Sequence, residues 1–188
     1  MNTTRNIAFI ALFTALLCVL APLAVPIGPV PITLATLAVY IIGALLDVKR
    51  APICVVLYIL IGMMGVPVFS NFQAGLTPLA GPTAGFIYGY IVGIVAESLL
   101  ITWKKDKFWI YPLGMIAGTF FIYAFGLAWY LIYCNASGNP KAFTAALMAC
   151  VVPFLPGDAC KIVCGTLITF KLRKPLDKAL SIPTRHTV

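Results

Sequence analysis

Residues 108–134, FWIYPLGMIAGTFFIYAFGLAWYLIYC, run for 27 residues without a single charge. At about 1.5 Å of rise per residue, such a helix is about 40 Å long, more than the roughly 30 Å of a bilayer's hydrocarbon core. The stretch therefore reads as a tilted membrane helix, with Trp109 and Tyr111 as interfacial aromatics at its start. The whole sequence agrees. Of its 188 residues, 62% are hydrophobic and only 10% charged, against about 25% charged in soluble domains. The chain reads as an all-α integral membrane protein of one domain, too short to hold both a bundle and a sizeable soluble module. A net charge of +8 would suggest nucleic acid in a polar protein. In an apolar one the placement of the charge matters more, and no nucleic-acid partner is expected.

Working outward, a first apolar segment covers about Ile7 to Val25. It is longer than the apolar core of a signal peptide and reads as a membrane helix. Ala8, Ala11 and Ala15 form a small-residue stripe along it, a face that another helix can approach closely, although alanine is also simply a good helix former. Segments from about Thr33 to Leu46 and from Ala51 to Gly65 are each near 15 residues, short of the roughly 20 that span a bilayer upright. Thr83 to Trp103 forms the fourth segment. It carries Glu97, seven residues before Lys104, read as a structural or coupling group near the membrane edge, in reach of a salt bridge or water. A short apolar piece, Ala142 to Val152, precedes a last helix running from Asp158 to about Leu172, and 173–188 reads as a basic tail. The helical bundle thus spans about 5–172.

With the N-terminus inside and six transmembrane helices, the inner connections hold 11 of the 13 lysines and arginines. These are Arg5; Lys49 and Arg50; Lys104, Lys105 and Lys107; and Lys171, Arg173, Lys174, Lys178 and Arg185. The positive-inside rule is met at every inner connection, so both termini are expected in the cytoplasm and the chain in the plasma membrane. The three Pro/Gly-rich connections (25–31, 66–82 and 135–156) then face outward. The second is nearly uncharged, with Phe69, Asn71, Phe72 and Gln73 among its residues. That composition predicts an ordered lid over the bundle mouth, because irregular backbone at membrane depth must be buried or line a cavity.

Pro156-Gly157-Asp158-Ala159-Cys160-Lys161 sets an acid and a base three residues apart on one helical face at this same end. Two readings are open for these six residues alone. Asp158 suits the positive end of a helix dipole and Lys161 can snorkel to headgroups; or the two form a site, as intramembrane charges commonly do. Convergence of the pair with the lid on one mouth favours a site. The six cysteines form no C-x-x-C pair, and His186 is the single histidine, so neither a metal nor a cofactor is expected.

Gly65-Val66-Pro67-Val68-Phe69, Gly81-Pro82-Thr83 with Gly85, and Pro153-Phe154-Leu155-Pro156-Gly157-Asp158 with Lys161 together resemble the BioY family of biotin transporters. Pro29-Val30-Pro31-Ile32-Thr33-Leu34 resembles that family's first outer loop, with Ala35 where the family often has Gln. The resemblance covers about residues 5–172. It implies the substrate-binding S component of an energy-coupling-factor (ECF) importer: six helices, outer loops capping a pocket, and high-affinity biotin capture from outside. It also implies a membrane coupling subunit and a pair of cytoplasmic ATPases as partners, with Ala11 and Ala15 on the coupling face. Asp158, Lys161 and Gln73 are implied to contact the ureido ring. The chemistry suits that ligand. A ureido group offers two N–H donors and one carbonyl, which a carboxylate, an ammonium and an amide such as that of Asn71 can meet. Phe69, Phe72 and Tyr88 are candidate apolar walls, with Thr83 a further lining residue. No G-x-x-x-x-G-K-[ST] occurs, so ATP must be handled by another chain. The alternatives are transport of another small vitamin, facilitation without an ATPase and, more remotely, an intramembrane enzyme. The last lacks an intramembrane histidine or H-E-x-x-H, so the chain is read as a non-enzyme.

Overall fold

The computed structural model describes residues 3–26, 29–103 and 107–181. The expectations for Lys104, Lys105, Arg185 and His186, and for the side chains of Lys174 and Lys178, lie outside the described residues. In chain order the elements are α1 (Thr3–Leu20), β1 (Ala24–Val25), β2 (Ile32–Thr33), α2 (Ala35–Leu45), α3 (Ala51–Met63), α4 (Thr77–Ala80), α5 (Ala84–Trp103), α6 (Ile110–Ala136), α7 (Phe143–Cys150) and α8 (Leu155–Ser181). α5, α6 and the run from Phe143 to Arg173 are long and apolar enough to cross a membrane, whereas α1, α2 and α3 are apolar but shorter. At 11 and 13 residues, α2 and α3 are only about 16 and 20 Å long.

The connections make up part of the difference by folding onto the bundle. β1 and β2 form a small antiparallel hairpin with Ala24 opposite Thr33 and Val25 opposite Ile32. Past α3, Gly65 turns the chain at φ +99°, a conformation that costs glycine little. The chain then buries Val68 and Phe69 in the core. The Phe69 ring meets Tyr58 edge-on at 5.4 Å and lies over Gly62, where a Cβ would sit 2.3 Å from the ring. Backbone bonds from Gly75 to Gly62 O (2.8 Å) and from Asn71 to Pro22 O (3.1 Å) tie this connection to α3 and to the hairpin. An ordered, packed loop is what its aromatic-rich composition predicts.

α5 and α6 form the closest seam. Gly85, Gly89 and Gly93 recur every fourth residue on α5. A Cβ at Gly85 would fall 2.2 Å from Trp129 Cβ and 2.7 Å from Phe125 O; one at Gly93 would fall 2.8 Å from Gly118 O. Small residues at this spacing let helix backbones meet where lipid supplies no hydrophobic drive to associate. Two boundaries differ from expectation: α1 stops at Leu20, short of Val25, which pairs in the hairpin instead, and α8 is longer than its apolar run. α8 continues through the start of the expected tail to Ser181, and Arg173 is buried, its Nη1 donating to Ala44 O at 2.5 Å. The backbone carbonyl at the end of α2 holds the guanidinium against the bundle.

The seam yields a direct test. Gly85→Ala should lower the stability of the purified protein by about 1–3 kcal/mol through overpacking. At Gly157 a Cβ meets nothing nearer than Ile32 Cγ2 at 3.9 Å, so Gly157→Ala should melt near the wild type. Thermal unfolding in detergent compares the two, and equal melting temperatures would mean the seam is not close-packed.

Candidate functional site

α8 begins at Leu155, and the first turn holds Asp158. One turn on, Lys161 returns to the same face, as the i, i+3 spacing requires. Both side chains are buried, Asp158 at 4% and Lys161 at 9% exposure, which excludes a snorkelling lysine. Their ion pair is 2.8 Å long. Lys161 Nζ also donates to Thr33 O at 2.8 Å and to Thr36 Oγ1 at 3.0 Å, so three acceptors meet its three hydrogens. The Asp158 carboxylate accepts from Thr36 Oγ1 on Oδ1 at 3.1 Å and from Tyr123 OH on Oδ2 at 2.5 Å. Side chains from α2, α6 and α8 and a carbonyl from β2 thus close one polar network.

Above this network lies a cavity whose lining includes Asp158, Lys161, Thr33, Thr36, Tyr123 and Thr83 as polar members. Tyr58, Phe86, Tyr90 and Phe154 supply aromatic walls, with Val30, Ile32, Ile87 and Ile122 between them. Phe154 meets Phe86 edge-on at 6.2 Å and Tyr123 at 6.4 Å. The surface is therefore largely apolar and aromatic, with Asp158, Lys161, Thr33, Thr36 and Tyr123 joined in one hydrogen-bonded network along it. That is the general form of a small-molecule site. Among the described residues no group of three or more His, Cys, Asp or Glu is placed to hold a metal ion.

The residues singled out in the sequence fall into three places. Asp158, Lys161 and Thr83 line the cavity. Phe69 stands behind its wall, packed on Tyr58. Asn71, Phe72 and Gln73 are exposed and outside the lining, and the lid presents Ser70 to the cavity instead. The cause is backbone geometry: Asn71 and Phe72 both take left-handed φ, +57° and +59°, and turn the chain outward. Tyr88 also lies outside the lining; its OH donates to Leu79 O at 2.8 Å and its ring packs on Trp129. Ala35 lines the cavity and brings no polar group, while its neighbour Thr36 supplies the hydroxyl. Ala11 and Ala15 are exposed on α1, on the face opposite buried Phe13, Thr14 and Leu17.

Sequence reasoning passed over Tyr90, Thr36 and Tyr123. Tyr90 was accessible to it, since Thr83, Phe86, Ile87 and Tyr90 follow the i, i+3, i+4, i+7 pattern of one helical face. Tyr123 carries no such signal, because α6 is apolar on every side.

The chain is similar to known proteins along nearly its whole length. Residues 1–178 match the BioY family. A protein of Thermotoga maritima named biotin transporter BioY is 36% identical over 170 residues, covering 90% of this chain and 96% of the relative. One of Rhizobium etli with the same name is 33% identical, covering 88% and 91%. A crystal structure described as the S-component for biotin from an ECF-type ABC transporter shares the fold, with a TM-score of 0.82 over 93% of this chain and 95% of the other at 24% identity. The match over residues 1–178 and the 36% identity place this chain in the BioY family.

Proposed function

We propose that this chain is the biotin-binding S component of an ECF-type importer, taking its ligand at the Asp158–Lys161 network. The observation that carries the reading is the donor and acceptor set joined in one network along an aromatic cavity. A ureido ring presents two N–H groups and a carbonyl on one edge. Asp158 can accept an N–H, Lys161 can donate to the carbonyl in exchange for one of its three protein acceptors, and Thr36 and Tyr123 offer hydroxyls beside them. Tyr90, Phe86 and Phe154 would pack the bicyclic body. Relatives named biotin transporter BioY support the choice of ligand.

The network suits binding better than catalysis. All three hydrogens of Lys161 are donated, so its nitrogen presents no lone pair to act as a base. In the proposed orientation the cavity opens outward, both termini lie in the cytoplasm and the protein sits in the plasma membrane with six crossings. The distribution of basic residues supports this. ATP would be hydrolysed by a cytoplasmic ATPase pair through a membrane coupling subunit. Ala8, Ala11 and Ala15, exposed on α1, would form the docking face for that subunit.

Asp158→Asn should weaken biotin binding by at least about 1.5 kcal/mol, the worth of a charge-assisted hydrogen bond. Calorimetry of purified protein against biotin, dethiobiotin and other vitamins measures it. Unchanged affinity removes the pair from the site, and no response to biotin overturns the ligand. Stability separates binding from folding. Lys161→Met leaves Asp158 buried without its cation and should cost about 3–5 kcal/mol, whereas Asp158→Asn with Lys161→Met removes both charges and should recover part of it. Equal melting of the single and double variants would mean the pair is not tightly coupled. Ala11→Trp should leave biotin affinity intact and abolish ATP-driven uptake in reconstituted vesicles; normal uptake would move the docking face elsewhere.

A further inference from the structure

Glu97 is the sole glutamate in the sequence, and it plays no part in the cavity. It lies on α5, fully buried, and neither carboxyl oxygen has a hydrogen-bond partner among the described residues. Two neighbouring helices meet it with glycine. A Cβ at Gly43 of α2 would come within 2.7 Å of Oε2, and one at Gly118 of α6 within 3.4 Å of the same atom. The carboxyl group thus fills the space that two absent side chains leave.

Polar and titratable groups on the surrounding elements are engaged with other partners. On α2, Tyr40 OH shares a 2.6 Å hydrogen bond with Thr119 of α6. Ser98, beside Glu97 on α5, donates to Gly43 O at 3.1 Å and Ile94 O at 2.7 Å. Arg173 of α8 donates to Ala44 O. On α3, Tyr58 packs against Phe69 and Cys54 Sγ approaches Ile10 O and Arg50 O. On α6, Tyr111 sits in a separate apolar cluster with Tyr40, Ala44, Ile101 and Met115. Among the described residues, an ionised carboxylate here would carry a full charge with no hydrogen bond and no paired cation, deep in an apolar bundle. A group so placed neutralises rather than bear the cost. A divalent cation would lack ligands, since no set of three His, Cys, Asp or Glu surrounds it among the described residues.

We propose that Glu97 is a proton-binding site, its carboxyl held as the neutral acid where α2, α5 and α6 meet, so that the folded bundle carries one bound proton there. The proton is then part of the packing. Its loss would place an unpaired charge against the Gly43 and Gly118 backbones and draw water into the junction.

A chain with one glutamate reports on this directly. Protein made in a glutamate auxotroph with the side-chain carboxyl carbon isotopically labelled carries a single labelled acid. Infrared spectroscopy in nanodiscs at pH 7.5 should show the label in a protonated carbonyl stretch, and heating in dodecyl sulfate at the same pH should move it to the carboxylate stretch. A labelled carboxylate band in the folded protein overturns the proposal. So does a protonated band that survives denaturation, because the fold would then not be what holds the proton.

Discussion

A lysine that donates all three of its hydrogens inside an apolar bundle sets the arrangement on which the rest of the mouth depends. Lys161 joins α8 to β2 through Thr33 O and to α2 through Thr36, and it neutralises Asp158. Asp158 in turn brings in α6 through Tyr123. A buried pair of this kind is seldom a better stabiliser than well-packed apolar residues of the same volume. Its presence in a chain that is otherwise so apolar is hard to explain by stability and easy to explain by recognition. The same groups that hold three helices and the hairpin in register are those with the right polarity for a small polar ring.

The second organising constraint is backbone polarity in a short helix. α2 has only 11 residues, and the terminal amides and carbonyls of any helix lack intrahelical partners. At membrane depth water does not supply them. The ends of α2 are met partly by its flanking residues and partly by side chains of other helices. Thr33 Oγ1 accepts from the Ala35 amide at 3.2 Å. At the other end Ile42 O accepts from Leu46, Gly43 O from Ser98, and Ala44 O from Arg173. Arg173 on α8 therefore serves a C-terminal carbonyl of α2, while Lys161, near the other end, bonds Thr33 O and the Thr36 hydroxyl rather than the helix's amides. Positive charge at a helix C-terminus also suits its dipole.

These two constraints explain what was legible in the sequence. Apolar runs bounded by charges or prolines marked the helices closely, as in Thr83–Trp103 against the observed Ala84–Trp103. The acid–base pair was legible because charge in an apolar run is rare and its spacing fixes a shared face. The cavity walls were legible only in part: on α5 the Thr83 face leads to Phe86, Ile87 and Tyr90, whereas α6, apolar all round, gives no periodic contrast to say which face turns inward. Tyr90 shares the Thr83 face and lines the cavity, whereas Tyr88, two residues earlier, lies off that face and outside the lining. The lid was legible as an ordered loop, but not its facing, which depends on the left-handed residues Asn71 and Phe72. Glu97 illustrates a different limit. Seven residues before Lys104 looks close to the membrane edge, but along a helix it is about 10 Å, enough to place the carboxyl wholly inside.

The mouth and the polar network are mechanically one unit. Asparagine tolerates left-handed backbone, but a residue such as Phe72 at φ +59° costs of order 1–2 kcal/mol there, so its surroundings must hold the turn. The Asn71 amide is bonded to Pro22 O, beside the hairpin, and the Phe69 amide to Gln73 O. The hairpin carries Thr33, whose carbonyl is one of the three acceptors of Lys161. The loop, the hairpin and the ammonium are thus joined by one run of hydrogen bonds, so the backbone that packs over the mouth also fixes an acceptor of Lys161.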